Sequence, residues 1–187
     1  MRIFQLSKKF NLMIIKKTKI AGVKIFKSKK YLDKRGYFSE VFKKKFLKEN
    51  FIFGCLSNSK KNVLRGLHLQ KKFQQAKFIT VLKGSIFDVV VDLRKRSTTY
   101  GKYFSIILSE NNSTSLLIPK GCAHGFLTLG KENLVFYVCS EYWKRKHEIS
   151  INWADKKLKI NWPSKIPILS DKDKKGISFN DFDKIKR

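Results

Sequence analysis

The sequence predicts an antiparallel β fold, either a two-sheet sandwich or a jelly-roll barrel. Short runs of β-branched and aromatic residues recur along nearly the whole chain, and such runs are typical of strands. Polar turns containing glycine separate these runs, and few stretches have helical spacing. Many short strands with few helices usually close into sandwiches or jelly rolls, because wrapping the sheets protects their edges.

The predicted elements follow in chain order. Strands are expected at Ile14–Ile15, Val23–Phe26, Tyr37–Phe42, Asn62–Gln70, Phe78–Leu82, Ile86–Leu93, Phe104–Leu108, Ser115–Ile118, Gly125–Leu129 and Leu134–Val138. A turn at 33–36 precedes the third strand, and a short helix is expected over Lys43–Glu49. Lys83-Gly84-Ser85 has the length and the glycine of a hairpin loop, so its two flanking strands are predicted to form a hairpin. From Trp153 onward, a polar strap of turns and a short helix is expected to pack across the barrel.

The length of 187 residues predicts one domain with its own hydrophobic core. We place that domain at residues 13–187, because Met13 directly precedes the strand pattern, and we expect residues 1–12 to be a disordered extension. The three cysteines, Cys55, Cys122 and Cys139, are odd in number and lack Cys-x-x-Cys spacing, which argues against a disulfide framework or a zinc ribbon. The longest apolar run near the N-terminus, Leu12–Ile15, is too short for a signal peptide or a membrane span. We therefore expect a cytoplasmic protein without a membrane partner.

Charge is the most unusual feature of the composition, with 42 Lys and Arg against 14 Asp and Glu and a formal net charge of +28. Such a charge favours binding to phosphate backbones. The lysines are scattered over nearly every segment, however, and are not gathered with aromatic residues into a stacking platform. We therefore predict no nucleic-acid partner, and expect the positive field to favour a small polyanionic substrate.

One stretch, Asn62–Gln70, places Arg65 and His68 three residues apart in a β-type pattern. An odd separation puts two side chains on opposite faces of a strand, unless Gly66 introduces a bulge that re-aims one of them. Taken alone, a surface arginine and a hydrogen-bonded core histidine is the more ordinary interpretation of this pair. The motifs further along the chain change that balance.

Several motifs occur in one order along the chain. They are Arg35-Gly36-Tyr37-Phe38, Asn62 to Gln70, Gln75-Ala76-Lys77, Phe87 to Arg94, Ile118 to Phe126, Trp162-Pro163 and Leu169-Ser170-Asp171-Lys172-Asp173. Over roughly Met13 to Asp173, the chain resembles the dTDP-4-dehydrorhamnose 3,5-epimerase family. The resemblance implies a cupin-type jelly-roll barrel, a homodimer, a nucleotide-sugar substrate and a place in deoxysugar synthesis for surface polysaccharide. It implies no cofactor and no metal.

The resemblance also implies catalytic roles for four residues. His68 corresponds to the family's base, which removes a proton beside the sugar ketone, as a base of near-neutral pKa can. Asp173 corresponds to the aspartate that orients this histidine, and Lys77 to the cation that stabilises the enolate oxygen. Tyr137 corresponds to the acid that returns a proton to the opposite face. Without the resemblance, a solvated turn carboxylate, a surface lysine and a core tyrosine would be the ordinary interpretations.

Further residues are implied in substrate binding. They are Arg65, His124, Glu148 and Lys172 as direct contacts, Tyr142 stacking on the base, and Arg35 and Glu40 reaching the neighbouring subunit's site. Arginine suits a pyrophosphate because its planar fork donates two parallel hydrogen bonds to phosphate oxygens.

One segment departs from the family pattern, since Phe53-Gly54-Cys55 stands where Gln-x-Asn is usual. A related nucleotide sugar, or epimerisation at a single centre, therefore stays open as an alternative. A metal-binding cupin would need several histidines, and this chain has only three, with no His-x-His pair. A non-catalytic sugar-binding or nucleic-acid-binding module would not need the base, its aspartate, the lysine and the tyrosine together.

Overall fold

Two antiparallel sheets face each other in a computed structural model that describes residues 13–185. The predicted N-terminal extension, residues 1–12, lies outside the described residues. The strands of this range are β1 Ile14–Lys17, β2 Lys24–Lys27, β3 Lys30–Asp33, β4 Gly36–Ser39, β5 Phe53–Lys60, β6 Leu64–Gln70, β7 Lys77–Lys83, β8 Ser85–Asp92, β9 Tyr103–Ser109, β10 Thr114–Ile118, β11 Cys122–Thr128, β12 Glu132–Cys139 and β13 Glu148–Ser150. The helices are α1 Asp171–Lys174 and α2 Phe179–Lys184, with 3₁₀ turns at Lys44–Phe46 and Arg145–His147.

The larger sheet has six strands in the order β1-β2-β10-β7-β12-β5, and the facing sheet has five in the order β13-β6-β11-β8-β9. Strands β3 and β4 form a separate two-stranded hairpin. Between the two large sheets lies a core of aliphatic and aromatic side chains from both: Ile79, Val81, Ile86, Val90, Leu116, Ile118, Phe126 and Val135. This arrangement confirms the predicted jelly-roll barrel.

The predicted hairpin at Lys83-Gly84-Ser85 is wrong. Strand β7 pairs with β10 and β12, whereas β8 pairs with β11 and β9 in the other sheet. Gly84 has φ +79°, and a side chain there would collide with the Glu132 carbonyl. The buried Asn133 side chain accepts hydrogen bonds from the Ser85 and Gly130 amides, at 3.1 and 3.0 Å. Gly84 and Asn133 thus form a corner at which the chain passes from one sheet to the other.

Several predicted boundaries also differ from the structure. The strand expected at Tyr37–Phe42 is β4, which ends at Ser39, and the helix expected over Lys43–Glu49 is only a 3₁₀ turn. Strands β5 and β13 were not expected. Serines and an asparagine interrupt the apolar pattern of β5, yet all eight of its residues pair with β12.

The C-terminal strap packs against the outer face of the five-stranded sheet, as predicted. Its Leu158, Trp162 and Phe182 form a second core cluster with Val89 and Val91 of β8. The strap contains two short helices, where the sequence predicted one. In residues 13–185, no helix is long and apolar enough to cross a membrane.

Candidate active site

A cavity of about 750 Å³ opens between the two sheets. Eight of the residues predicted to act on the substrate line it: Arg65, His68, Lys77, His124, Tyr137, Glu148, Lys172 and Asp173. The structure therefore brings together residues that lie as far apart in sequence as 65 and 173.

The six-stranded wall of the cavity contains Lys77, Tyr137 and two thiols. Alternate residues of a strand share one face, and Cys55 of β5 and Tyr137 and Cys139 of β12 all line the cavity. In the pairing register, Tyr137 lies opposite Cys55, and Cys139 lies opposite Lys77. Lys77 and Tyr137 therefore each have a cysteine as a cross-strand neighbour.

A bulge at Gly66 brings Arg65 and His68 to the same cavity, as the glycine between them allows. His124 of β11 pairs with His68, and Phe126 pairs with Arg65, so three steps along β6 match two along β11. Gly66 has φ +126°, and a Cβ there would lie 2.8 Å from the His124 carbonyl oxygen. Only glycine fits this distorted position without strain.

His68 is hydrogen-bonded to Asp173, with 2.5 Å between His68 Nε2 and Asp173 Oδ1. Asp173 is 4 % exposed and lies on α1. Its other carboxylate oxygen accepts a hydrogen bond from the Ser170 hydroxyl at 2.9 Å, and Ser170 also caps α1. Burial alone would raise the pKa of Asp173, but the hydrogen bonds from His68 and Ser170 hold it below its usual value. The carboxylate is therefore ionised and fixes the imidazole.

Glu148 approaches the other nitrogen of the same ring. Its Oε1 lies 3.9 Å from His68 Nδ1, and its Oε2 accepts a hydrogen bond from Lys172 at 2.9 Å. Burial works against the charged form of Glu148, but the bond from Lys172 and the charge of His68 keep its pKa below the usual value. His68 thus lies between two carboxylates whose pKa values are both lowered.

Lys77 and Tyr137 have no such ionic partners at hydrogen-bond distance within residues 13–185. Burial lowers the pKa of Lys77, although Cys139 and Glu148 oppose that shift. Burial and the Cys55 thiol raise the pKa of Tyr137, and the positive charge of Arg65 opposes the rise. Tyr137 is accordingly a neutral phenol that keeps its proton at physiological pH.

Arg65 and His124 are held by neighbouring strands. Arg65 Nε donates a hydrogen bond to the Ser59 hydroxyl at 3.1 Å. His124 Nε2 and Asp88 Oδ2 are 2.8 Å apart, and the Asp88 side chain is fully buried. These bonds orient both side chains towards the cavity.

Three predicted binding residues lie outside the cavity of one chain. The Arg35 side chain is 84 % exposed and pairs with Asp33 at 2.7 Å, and Glu40 pairs with Lys43 at 2.8 Å. Tyr142 packs against Phe53, with 5.8 Å between ring centroids. The roles of Arg35 and Glu40 concern a neighbouring subunit and stay a prediction, as does stacking by Tyr142.

Trp143 and Gln70 are among the cavity residues that were missed in the sequence. Trp143 follows Tyr142 and lines the cavity. Gln70 is 4 % exposed, and its amide nitrogen donates to the carbonyls of Phe73 and Tyr142 at 2.7 and 3.1 Å. Gln70 lies two residues after His68, so strand alternation was the signal that placed it on the same face.

Metal ligands do not cluster in the described part of the chain. No group of three or more His, Cys, Asp or Glu side chains between residues 13 and 185 is arranged to hold an ion. Metal-free catalysis stays a prediction.

Comparison with known proteins adds a second line of evidence. Residues 17–181 match the profile of the dTDP-4-dehydrorhamnose 3,5-epimerase family. The dTDP-4-dehydrorhamnose 3,5-epimerase of Shigella flexneri is 41% identical over 178 residues, covering 91% of this chain and 98% of that protein.

Solved structures agree with this. The dTDP-6-deoxy-D-glucose-3,5-epimerase of Legionella pneumophila, solved with dTDP-4-keto-L-rhamnose, has a TM-score of 0.87 and 39% identity, covering 90% of this chain and 93% of that one. The 3'-monoepimerase ChmJ of Streptomyces bikiniensis, solved with dTDP-quinovose, has a TM-score of 0.80 and 28% identity, covering 86% and 85%. The chain belongs to the dTDP-4-dehydrorhamnose 3,5-epimerase family, a family of isomerases.

Proposed function

We propose that this protein epimerises dTDP-4-dehydro-6-deoxyglucose to dTDP-4-dehydrorhamnose, inverting the carbons on either side of the ketone carbon. The product would serve deoxysugar synthesis for surface polysaccharide. The observation that carries the proposal is the His68–Asp173 pair, which shares one cavity with Lys77 and Tyr137.

The first step is removal of a proton from a ring carbon next to the ketone. His68 takes it on the ring nitrogen that does not bond Asp173, and the C–H electrons move into the carbonyl to form an enolate. Asp173 and Glu148 lie on either side of the ring, so the imidazolium forms between two negative charges. General bases placed in this way typically contribute about 10² to 10⁴ in rate.

The second requirement is a donor for the enolate oxygen. Lys77 extends from the start of β7 into the cavity. Partial burial lowers the local dielectric, so a positive charge here stabilises an oxyanion more strongly than it would in water.

Inversion then requires a proton from the opposite face. Tyr137 belongs to the six-stranded sheet and His68 to the five-stranded sheet, so the substrate lies between acid and base. The neutral phenol gives its O–H proton to the ring carbon and is reprotonated from solvent, while His68 loses its proton to solvent.

Binding of the nucleotide diphosphate is assigned to Arg65, Lys172 and His124, which line the same cavity. The Arg65 Nε is occupied by Ser59, which leaves its terminal nitrogens for phosphate oxygens. Tyr142 and Trp143 are exposed side by side, and they supply aromatic surface for the base.

Inversion at a single centre is the second candidate. Phe53 and Cys55 make part of the cavity wall less polar than a Gln-x-Asn segment would, and the 3'-monoepimerase ChmJ has a similar fold. Identity is nevertheless 39% to the 3,5-epimerase of Legionella pneumophila and 28% to ChmJ. The difference favours inversion at both centres.

A turnover assay tests the proposal. Purified protein is incubated with dTDP-4-dehydro-6-deoxyglucose and with other 4-keto-6-deoxy nucleotide sugars, and inversion at each carbon is followed by NMR. We expect inversion at both centres of the dTDP sugar. Inversion at one centre would support the second candidate, and no inversion of any sugar would refute an epimerase function.

The active assembly is proposed to be a homodimer in which Arg35 and Glu40 reach the partner's cavity. The β3–β4 hairpin that carries Arg35 exposes three large apolar side chains: Leu32 is 80% exposed, Phe38 68% and Tyr37 55%. Large apolar side chains exposed on a single hairpin favour an interaction site there.

Sedimentation velocity and activity measured over one dilution series test the assembly. We expect the rate per subunit to fall as the dimer dissociates, and Arg35→Ala to lower turnover. A monomer with full activity would refute the proposal and return Arg35 to the ordinary surface charges.

The cytoplasm is the proposed compartment. Cys55, Cys122 and Cys139 are free thiols in the structure, and unpaired thiols suit a reducing environment. Neither a membrane nor a nucleic acid is proposed as a partner.

A further inference from the structure

Cys55 lies directly opposite Tyr137 in the β5–β12 ladder, and both side chains line the cavity. Directly opposed residues have Cβ atoms about 4.5–5.5 Å apart. The thiol is free and partly exposed to the cavity. One of the two cross-strand neighbours of the proposed acid is therefore a thiol, and the other is the apolar Ile79.

Sulfur differs from oxygen in what it does to a neighbouring hydroxyl. A thiol is a weak hydrogen-bond acceptor, whereas a serine hydroxyl or an amide oxygen is a strong one. In the described part of the chain, no carboxylate, amide or hydroxyl oxygen is hydrogen-bonded to the Tyr137 phenol. Ser57, two residues after Cys55, also lines the cavity, but its buried hydroxyl has no hydrogen-bond partner among the described residues. The phenolic proton is thus not held by a strong acceptor of this chain.

We propose that Cys55 is a positioning residue for Tyr137, filling the space beside the phenol and offering its O–H only a weak sulfur acceptor. The proton then stays available to the substrate carbon for the inversion step. This inference rests on the proposed function of Tyr137, and it assigns a role to the position where the chain departs from the Gln-x-Asn pattern.

The test compares two rates in heavy water for the wild type and three variants. One rate is deuterium exchange at the carbon beside the ketone, which reports enolate formation. The other rate is inversion of that carbon, which also needs the acid. Dividing inversion by exchange isolates the step that involves Tyr137.

Cys55→Ser places a strong acceptor beside the phenol at nearly the same size. We expect inversion divided by exchange to fall about tenfold, the order of effect of one hydrogen bond. Cys55→Ala removes the sulfur without adding an acceptor, so this ratio should stay within about twofold of wild type, although looser packing slows both rates. Cys139→Ser is the matched control, because it makes the same swap opposite Lys77, and should leave the ratio unchanged.

Two results would overturn the proposal. An unchanged ratio in a folded Cys55→Ser protein would show that the acceptor strength beside Tyr137 does not matter. An equal fall in Cys55→Ala would show that packing, and not the proton, is what Cys55 controls. If the wild-type protein catalyses neither deuterium exchange nor inversion, the proposed function itself fails. The wild-type sample of the same experiment shows this.

Discussion

The two walls of the cavity hold their reactive side chains by different means. On the five-stranded wall, each imidazole is hydrogen-bonded to a carboxylate: His68 to Asp173 and His124 to Asp88. On the six-stranded wall, Lys77 and Tyr137 have the thiols of Cys139 and Cys55 as cross-strand neighbours.

This difference matches the direction of proton movement in the proposed mechanism. A base that becomes a cation is stabilised by fixed negative charge, which the His68 side of the cavity supplies. An acid that must stay protonated until the enolate forms is better placed in a partly dry site without a strong acceptor, as Tyr137 is. Carboxylate partners on one wall and burial on the other thus suit the base and the acid of the proposed mechanism.

Among the changes that test this comparison, removal of the base should lower turnover most. We expect His68→Asn to lower turnover by at least about 10³-fold, because no other side chain replaces the general base. Exchange and inversion should fall together, as both need the enolate. Near-normal turnover in a variant with wild-type circular dichroism would contradict the role of His68.

Loss of the carboxylate partner should have the next largest effect. Asp173→Asn should lower turnover by about 10²-fold, because the ring loses both its orientation and the charge that stabilises the imidazolium. Ser170→Ala is the matched milder change, since it removes one hydrogen bond to the same carboxylate. If Asp173→Asn lowers turnover less than Ser170→Ala does, the catalytic pairing of His68 with Asp173 is refuted.

The same carboxylate should also influence acid stability. The pKa of Asp173 is lower in the folded protein than in the unfolded chain, so its ionised form stabilises the fold above about pH 4, and this contribution is lost as pH falls through the folded pKa. Urea unfolding of wild type and Asp173→Asn should therefore differ at pH 7 and converge in acid. A constant difference at every pH would contradict the assigned ionisation.

Asp92 provides a comparison away from the cavity. Although burial opposes its charge, hydrogen bonds from Arg94, Ser97 and Thr99 lower its pKa. Asp92→Asn should show the same convergence in acid, while turnover of the folded protein stays near wild type. Equal loss of turnover in both variants would show that Asp173 acts only through stability.

Chelation of metal ions should leave turnover unchanged, which is the smallest effect expected. The chain has three histidines and no His-x-His pair, and the proposed mechanism gives the role of a Lewis acid to Lys77. Turnover in EDTA should equal turnover in buffer. Loss of activity that zinc, nickel or iron restores would favour a metal-binding cupin instead.

The site was more predictable from the sequence than the strand pairing was. Gly66 between Arg65 and His68 signalled a bulge because only glycine tolerates the backbone that re-aims them. By contrast, Lys83-Gly84-Ser85 has the same composition whether it closes a hairpin or turns a barrel corner. The choice depends on Asn133, 48 residues from Ser85, whose side chain bonds the Ser85 amide. Strand β5 was missed because its apolar pattern is weak. Pairing with β12, which the sequence does not reveal, holds it in the sheet.

The most direct test of the two-wall account is Tyr137→Phe in heavy water. The variant keeps His68, Asp173 and Lys77, so the enolate should still form, and deuterium should enter the carbon beside the ketone at near the wild-type rate. Inversion should be slower by about 10²-fold or more, since the acid on the opposite face is missing. If exchange and inversion fall by the same factor, Tyr137 is not the separate acid, and the two walls do not divide the reaction between them.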